Sequence, residues 1–306
     1  MIHVLAPGMF TTVQDLGRFG YGPLGVSPSG AADPVSLRIG NLIVGNPESS
    51  AALEMTLLGG KFSFPDGGLV ALTGSDFGAA IDSRAVPPWT ATVVAPGERL
   101  DVGPTRSGAR CYLCVHGGIA VKALLGSAST HILTGLGGFE GRPLKKGDVL
   151  AVGPAHEVTP LKIAAEVLDR LKPRKILRTT VAPQTRWFTR DSVDLFYKSG
   201  YVVTEESNRM GLRLEGAAIE TPHSGQMTSE GVSLGAIQIP AGGRPIILFV
   251  EQQTTGGYPK IANVISADLA SVGQLRPRDE VRFELVSAET ARALIREQEE
   301  MIRSIG

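Results

Sequence analysis

The chain has little cysteine, no excess of either charge and no long apolar run. Its 306 residues include two cysteines, which are too few for the disulfide framework of a small secreted protein. The 30 basic side chains balance the 30 acidic ones, so neither a nucleic-acid-binding protein nor a basic membrane-surface protein is expected. No apolar run approaches the roughly 18 residues of a membrane span, and the N-terminus lacks the pattern of a signal peptide. These absences predict a cytoplasmic protein.

Short motifs that carry chemistry in other proteins are also missing. The sequence contains no G-x-x-x-x-G-K-[ST], and GLGGFEG at 135–141 fails the spacing G-x-G-x-x-G, so neither standard phosphate loop is present. No G-x-S-x-G surrounds Ser127 or Ser129, so a hydrolytic triad with the nearby His131 is not favoured.

The pair Cys111-x-x-Cys114, followed by His116, suggests a metal or redox site at first sight. A zinc site, however, needs a second pair of ligands. The segment 109–115 also has the pattern of a strand, in which side chains at 111 and 114 point to opposite faces. We therefore predict ordinary packing thiols and no metal site.

Glycine is the residue that the chain has in excess. It supplies 38 of 306 residues, about 12% against a usual value of about 7%. Short apolar segments alternate with Gly/Pro-rich turns, which is the pattern of a mainly β protein with few short helices. The strand-like segments are 53–57, 70–72, 110–115, 232–239, 246–250 and 280–286.

Three helices are predicted within this pattern. The clearest covers 34–44, because Asp33 is a good N-cap, proline takes the first helical position and Gly-Asn-Pro at 45–47 ends the helix. A second helix is predicted to start near Pro259, and a third to cover 287 to about 303.

The polar, helix-leaning segment 155–178 reads as a connector between two domains. With the boundary near Leu171, we predict an N-terminal β-barrel region at 1–170, which contains the helix 34–44. A C-terminal β-barrel domain is predicted at 171–306, ending in a helix.

A phrase in which a polar turn leads into an alternating strand occurs three times, at 95–103, 145–153 and 276–283. Such a turn and strand form a simple β unit. The recurrence is explained either by related barrels in the two halves or by chance in a β protein.

The first of two glycine-rich stretches, 12–33, is a long unperiodic loop that leads into the helix at 34. Long loops in compact domains are usually functional or disordered, and interleaved apolar residues argue against disorder. The free N–H groups at the helix start can receive an anion, or Asp33 can occupy them as a cap. Asp33 and Arg18 are therefore candidate ligand-binding residues.

The second stretch, 251–260, follows an apolar strand and precedes the predicted helix at 259. A Gly-Gly turn in that position exposes backbone N–H groups, and the side chains around it can hold a carboxylate, carbamate or phosphate. The candidate ligand groups are Gln253, Thr254, Thr255, Tyr258 and Lys260. The alternative is a turn whose threonines cap the helix and whose tyrosine is packed.

Both stretches belong to a series of motifs that runs in order along nearly the whole chain. The others include NLIVGN at 41–46, LTGSD at 72–76, VHGGI at 115–119, LGSAST at 125–130 and SNRMGLRL at 207–214. This series resembles the biotin-dependent carboxyltransferase-like family, also called allophanate hydrolase subunit 2. The resemblance implies a fold of two cyclophilin-like β-barrel domains.

The resemblance also implies an activity and partners. The first expectation is the C subunit of an ATP-dependent 5-oxoprolinase, which acts with a B subunit of the allophanate hydrolase subunit 1 family and with a hydrolase, the A subunit. One alternative is a carboxyltransferase that uses biotin and acts on urea or a similar amide. Another is a non-catalytic regulatory protein that binds a kinase inhibitor of the sister family.

Under the first expectation, the complex uses ATP to open the 5-oxoproline ring. Lys260, Arg209 and Arg18 are then expected to offset phosphoryl or carboxylate charge. The side chains of Gln253, Thr254 and Tyr258 are expected to orient the ring. No residue is assigned as a general base or nucleophile.

Overall fold

A computed structural model shows a mainly β chain, as predicted. The structure describes residues 1–154, 157 and 161–305, without the side chains of residues 223 and 224. Within these residues no helix combines the length and the apolar composition that crossing a bilayer requires. Clustering of contacts divides the chain into two compact units: the first holds 1–18, 29–172 and 302–306, and the second holds 19–28 and 173–301.

The first unit contains twelve strands and two helices among its described residues. The strands are β1 (Ile2–Ala6), β2 (Phe10–Gln14), β3 (Ala52–Thr56), β4 (Lys61–Ser63), β5 (Gly68–Gly74), β6 (Ala80–Ile81), β7 (Arg84–Ala85), β8 (Thr92–Val94), β9 (Arg99–Asp101), β10 (Arg110–Val115), β11 (Ile119–Ala120) and β12 (Val149–Val152). The helices are α1 (Pro34–Ile43) and α2 (Ala165–Arg170).

These strands form two sheets. One has the order β11-β12-β1-β4-β9-β6-β7, and the other has the order β2-β3-β10-β5-β8. Alternate apolar side chains of both sheets share one buried core, for example Val4 of β1, Phe62 of β4, Leu53 of β3 and Leu113 of β10. In this unit, the apolar residues that alternate along the strands are therefore the ones whose side chains are buried, as the sequence pattern predicts.

Helix α1 confirms the prediction for 34–44 within one residue. The Asp33 side chain accepts a hydrogen bond from the Ser36 amide at 3.0 Å, so Asp33 is the N-cap, and Pro34 occupies the first turn. The helix packs on β5 and β10. Gly40 permits this approach, because a Cβ there would lie 2.6 Å from Cys114 Sγ.

The second unit contains a closed barrel. Its strands and helices are β13 (Ile176–Val181), α3 (Arg190–Lys198), β14 (Tyr201–Val203), β15 (Gly211–Gly216), β16 (Glu230–Gly231), β17 (Ala236–Gln238), β18 (Ile246–Leu248), β19 (Thr255–Gly256), β20 (Lys260–Val264), α4 (Leu269–Gly273), β21 (Glu280–Leu285) and most of α5 (Ala288–Arg303). The barrel order is β13-β20-β17-β18-β15-β14-β21, and a parallel β13–β21 pair closes it. Strands β16 and β19 form a separate two-stranded sheet.

The helix predicted near Pro259 is wrong. Residues 260–264 form β20, which pairs antiparallel with both β13 and β17. Apolar residues at 261, 264 and 265 fit the spacing of a helix. A strand that is paired on both sides, however, satisfies the backbone N–H and C=O groups of a buried segment as well as a helix does. Tertiary pairing decides between the two, and it favours the β-branched residues that the segment carries.

The bounds of several other elements differ from the predicted ones. The predicted strand 232–239 is reduced to β17, because Gly235 has a positive φ of 81° and turns the chain before it. The predicted loop 12–33 begins inside β2 and carries a short 3-10 turn at Gly22–Leu24. The predicted connector 155–178 contains α2 and the start of β13, but residues 155, 156 and 158–160 lie outside the described residues. The C-terminal helix is confirmed as α5.

The three recurring phrases have the same local structure. In each, an acidic side chain accepts a hydrogen bond from the amide three residues earlier: Glu98 from Ala95 at 2.7 Å, Asp148 from Lys145 at 2.7 Å and Asp279 from Arg276 at 2.9 Å. Each turn leads into a strand: β9, β12 and β21 respectively. The sequence repeat is therefore a repeat of one side-chain-closed turn.

The prediction of packing thiols is confirmed. Cys111 lies in the apolar core, whereas Cys114 points to the other face of β10, where its Sγ contacts the Leu37 carbonyl at 3.7 Å. Both side chains are buried. Burial raises the pKa of both thiols far above its usual value.

Native protein is accordingly expected to resist alkylation by iodoacetamide at Cys111 and Cys114, because the thiolate is the reactive form. Intact-mass spectrometry should show no adduct on the folded chain and two adducts after denaturation in urea. An adduct on the folded chain at neutral pH would contradict the assignment.

Candidate functional site

The predicted ligand segment 251–260 is a connection between β18 and β20 that contains β19. Strand β19 pairs with β16, so that Gly256 lies opposite Glu230 and Thr255 opposite Gly231. The Val232 amide extends this pairing by donating to the Thr254 carbonyl at 3.1 Å. We call residues 230–232 and 254–256 the ribbon. The ribbon positions the Glu230 side chain against the start of β20.

Lys260 is the first residue of β20 and is only 3% exposed. Its Nζ donates to Glu230 Oε1, and Gln184 Nε2 donates to the same oxygen at 3.0 Å. Gln184 precedes a 3-10 turn whose Thr185 hydroxyl donates to the Ile261 carbonyl at 2.6 Å, which fixes Gln184 beside β20. The hydrogen bond from Lys260 is the main cause that lowers the pKa of Glu230.

Four glutamines bond to this ion pair, to the ribbon or to one another, or lie opposite Lys260, and we call them the amide cluster: Gln184, Gln238, Gln252 and Gln253. Gln238 lies opposite Lys260 in the β17–β20 pair, so the two side chains share a face. Gln253 Nε2 donates to Gln238 Oε1 at 3.4 Å.

Three polar atoms of the amide cluster are buried without a hydrogen-bond partner among the described residues. They are Gln184 Oε1, Gln238 Nε2 and Gln252 Oε1. Buried polar groups are nearly always paired in folded proteins, so each exception asks for an explanation. Gln184 shares the Glu230 oxygen with Lys260, and Gln238 lies opposite Lys260, so their acceptor and donor indicate a place where a polar ligand can complete the network.

Gly256 brings the ribbon into direct contact with the amide cluster. A Cβ at this position would lie 2.5 Å from Gln238 Nε2 and 3.0 Å from Val232 Cγ1. The Gln252 side chain lies on the same ribbon, because its Nε2 donates to the Val232 carbonyl at 3.3 Å. The second glycine-rich stretch therefore serves close packing of a ribbon, and the predicted Gly-Gly turn before a helix is wrong.

Arg209 is also in the second unit, in a buried ion pair. Its Nε donates to Glu251 Oε1 at 2.5 Å, and the side chains are 8% and 2% exposed. The Glu251 amide donates to the Arg209 carbonyl at 2.8 Å. This double link anchors the residue before Gln252 to the loop that leads into β15.

The remaining candidates of the segment face outward to different degrees. Thr255 is exposed in β19, Thr254 is half-buried, and Tyr258 is 40% exposed. The alternative in which Thr254 and Thr255 cap a helix is wrong, since a strand follows them. Their place on the ribbon keeps them beside the amide cluster.

Arg18 and Asp33 belong to the first unit. Arg18 is 2% exposed, and its Nη2 donates to the Ser129 carbonyl. Asp15 is not among the predicted site residues. It accepts hydrogen bonds from the hydroxyls of Ser127 at 2.6 Å and Ser129 at 2.5 Å. These serines serve the fold by fixing the loop after residue 125 to the end of β2.

Asp33 has a capping role. Its Oδ2 accepts from the Ser36 hydroxyl at 2.6 Å, and its amide donates to the Tyr112 hydroxyl at 2.8 Å. Tyr112 in turn donates to Glu54 Oε2 at 2.8 Å, and Glu54 faces Arg110 at 3.6 Å. Burial is the main cause that raises the pKa of Tyr112. The start of α1 is thus tied to β3 and β10.

The structure adds Glu230, Gln184, Gln238 and Gln252 to the predicted candidates. Glu230 lies in SEG at 229–231, but nothing in the sequence pairs it with Lys260, which is 30 residues later. Gln238 lies in the predicted strand 232–239 and Gln252 in the glycine-rich stretch 251–260, whereas Gln184 carries no local signal. Among residues whose positions are described, no group of three or more His, Cys, Asp or Glu side chains is arranged to hold a metal ion.

Comparison with known families agrees with this architecture. The model of the carboxyltransferase domain, subdomain A and B, matches residues 24–285. The chain belongs to this carboxyltransferase domain family. The matched residues include parts of both units, among them the ribbon and the amide cluster.

Two proteins similar to this chain are C subunits of 5-oxoprolinase. The chain is 39% identical to the 5-oxoprolinase C subunit of Escherichia coli over 95% of this chain and 93% of that protein. It is 36% identical to the 5-oxoprolinase C subunit of Haemophilus influenzae over 98% and 96%. The crystal structure of Kluyveromyces lactis urea carboxylase matches with a TM-score of 0.93 and 34% identity, covering all of this chain and 29% of that one.

Proposed function

We propose that this carboxyltransferase-domain protein is the C subunit of an ATP-dependent 5-oxoprolinase, which opens 5-oxo-L-proline to L-glutamate together with the A and B subunits. The observation that carries the proposal is the 39% identity to the E. coli C subunit over nearly the full length of both proteins. The B subunit is expected to come from the allophanate hydrolase subunit 1 family, and the complex is expected in the cytoplasm.

The site in the second unit supports this choice of substrate. 5-Oxoproline carries one carboxylate and one cyclic amide. Lys260 is a buried cation, and the amide cluster supplies an unpartnered donor and unpartnered acceptors beside it, within the described part of the chain. The cation can pair with the carboxylate of 5-oxoproline, and the donor and acceptors can bond to its cyclic amide.

ATP enters the proposal at the level of the complex. A lactam carbonyl is a poor electrophile, and transfer of the γ-phosphoryl group of ATP to its oxygen, with ADP as the leaving group, makes the carbonyl carbon easier for water to attack. The ring C–N bond then breaks, the nitrogen takes up a proton, and hydrolysis of the resulting acyl phosphate releases phosphate. Neither of the standard phosphate-loop motifs occurs in this sequence. The residues of this chain are therefore given roles in binding and orientation, and none in phosphoryl transfer.

Reconstitution tests the function directly. Purified chain mixed with the A and B subunits is expected to release phosphate only when ATP and 5-oxo-L-proline are both present. Glutamate is expected to form in proportion to the phosphate released. The matched control omits this chain and keeps the other two proteins. Full activity without it, or no activity with all three purified proteins, would overturn the proposal.

A second candidate is biotin-dependent carboxyl transfer to urea or a similar amide, favoured by the structural match to the K. lactis urea carboxylase. That reaction needs a biotinylated partner. Under this alternative a biotinylated protein co-purifies with the chain, and avidin blocks turnover with urea. The 5-oxoprolinase assignment predicts turnover that avidin leaves unchanged.

A further inference from the structure

Two donors from the barrel side of the site converge on one oxygen of Glu230. Lys260 Nζ and Gln184 Nε2 both donate to Oε1. Lys260 and Gln184 are held by β20 and by the turn after β13, whereas Glu230 belongs to the separate ribbon. The donors are thus fixed in the barrel, and the carboxylate that they bind is carried by a different element.

We propose that Lys260 and Gln184 form a carboxylate subsite in which Glu230 is an internal placeholder, and that the carboxylate of a small amide-bearing acid replaces Glu230 when it binds. The identification of that acid as 5-oxoproline rests on the proposed function. Glu230 is then neither a catalytic group nor a ligand-binding group.

Burial explains why a placeholder is needed and why it can leave. The Lys260 side chain is 4% exposed, and a buried ammonium without a counter-charge is strongly destabilising. The Glu230 side chain is 41% exposed, so its carboxylate is already partly hydrated and can move into water with little change in its solvation. Exchange of one carboxylate for another leaves Lys260 paired throughout.

The neighbouring amides match the rest of such a ligand. While Gln184 Nε2 serves the carboxylate, its Oε1 is buried without a partner in the described part of the chain. In 5-oxoproline the ring N–H lies next to the carboxylate, so one carboxamide can donate to the acid and accept from the ring. Gln238 Nε2, a buried donor on the same face as Lys260, is then available for the ring carbonyl.

The proposal predicts an unusual effect of Glu230→Gln. A site that is occupied by its own placeholder more than nine-tenths of the time binds a ligand at least about tenfold more weakly than the open site. Calorimetry on the full chain should therefore show about tenfold tighter binding of 5-oxo-L-proline in Glu230→Gln, together with a lower melting temperature without ligand. Glu230→Ala should behave in the same way.

Two controls separate the placeholder from a general charge effect. 2-Pyrrolidinone has the lactam without the carboxylate, and its affinity should change less than about twofold, since it does not compete with Glu230. Glu215→Gln removes a carboxylate that is 63% exposed and 3.7 Å from Arg244, and it should leave 5-oxoproline affinity unchanged. Equal or weaker binding of 5-oxoproline by both Glu230 variants, or no binding by any of the proteins, overturns the proposal.

Activity distinguishes this inference from the proposed function. If the reconstituted complex hydrolyses 5-oxoproline but Glu230→Gln leaves KM unchanged or raises it, the placeholder is wrong and the function stands. If Glu230→Gln tightens binding but the complex releases no phosphate, the subsite stands and the function is wrong.

Discussion

Replacing Glu54 with glutamine is expected to lower the free energy of unfolding by about 3–5 kcal/mol, the cost of removing one partner of a buried ion pair. Glu54 is 1% exposed and faces the Arg110 guanidinium, which is itself buried, at 3.6 Å. Its other oxygen accepts from the Ala32 amide and the Tyr112 hydroxyl, both at 2.8 Å. Glutamine keeps the size of the side chain but removes the buried negative charge that faces Arg110.

Urea unfolding of the full chain, followed by circular dichroism, measures this change. Tyr112→Phe removes a single hydroxyl from the same network and is expected to cost only about 1–3 kcal/mol. The double variant Glu54→Gln, Arg110→Met should be less destabilised than the sum of its single variants, because the two side chains face each other and their effects are coupled. Strict additivity, or a loss below about 1 kcal/mol for Glu54→Gln, would show that the pair contributes little.

Replacing Lys260 with methionine is expected to reduce kcat/KM of the reconstituted complex by about 30-fold to 3000-fold. This range corresponds to about 2–5 kcal/mol for removing one partner of a buried, hydrogen-bonded charge pair, at about 1.4 kcal/mol for each factor of ten. Methionine fills most of the volume of the lysine stem, so β20 should keep its packing against the neighbouring strands.

The matched control is Lys198→Met, which removes an exposed lysine whose side chain is 78% exposed and 3.5 Å from Asp194. Lys198 lies on α3 of the same unit and should leave kcat/KM within about twofold, since exposed ion pairs contribute little. Steady-state rates of phosphate release at varied 5-oxo-L-proline provide the comparison. Equal rates for Lys260→Met and the native chain would exclude Lys260 from the site.

Some features of the fold were predicted because local physics determines them. Asp33, Pro34 and the Gly-Asn-Pro after residue 44 bound α1 on their own, and the structure confirms that helix. The three polar turns close on their own acidic side chains, so they too are visible in sequence. The alternation across Cys111 and Cys114 placed the thiols on opposite faces of β10 correctly.

The segment after Pro259 shows where local physics fails. Its apolar spacing is compatible with a helix, and only the ladders to β13 and β17 make it a strand. The same ladder changes the role of Lys260: at a helix start it would be an exposed cation, whereas in β20 it is buried beside Gln238. The sequence therefore identified Lys260 as a candidate, but the error in this element concealed its burial and its partners.

The sequence alone determined the mainly β class, the helix at α1, the family and two segments that carry ligand candidates, because capping, period-2 burial and motif order are properties of neighbouring residues. Only the tertiary structure decided which candidates have which role. It paired Arg209 with Glu251, and it brought Lys260 and Gln184 together on the carboxylate of Glu230. Those partners are 42, 30 and 46 residues apart for the pairs 209–251, 230–260 and 184–230, and only the strand pairing of the folded chain brings such distant side chains together.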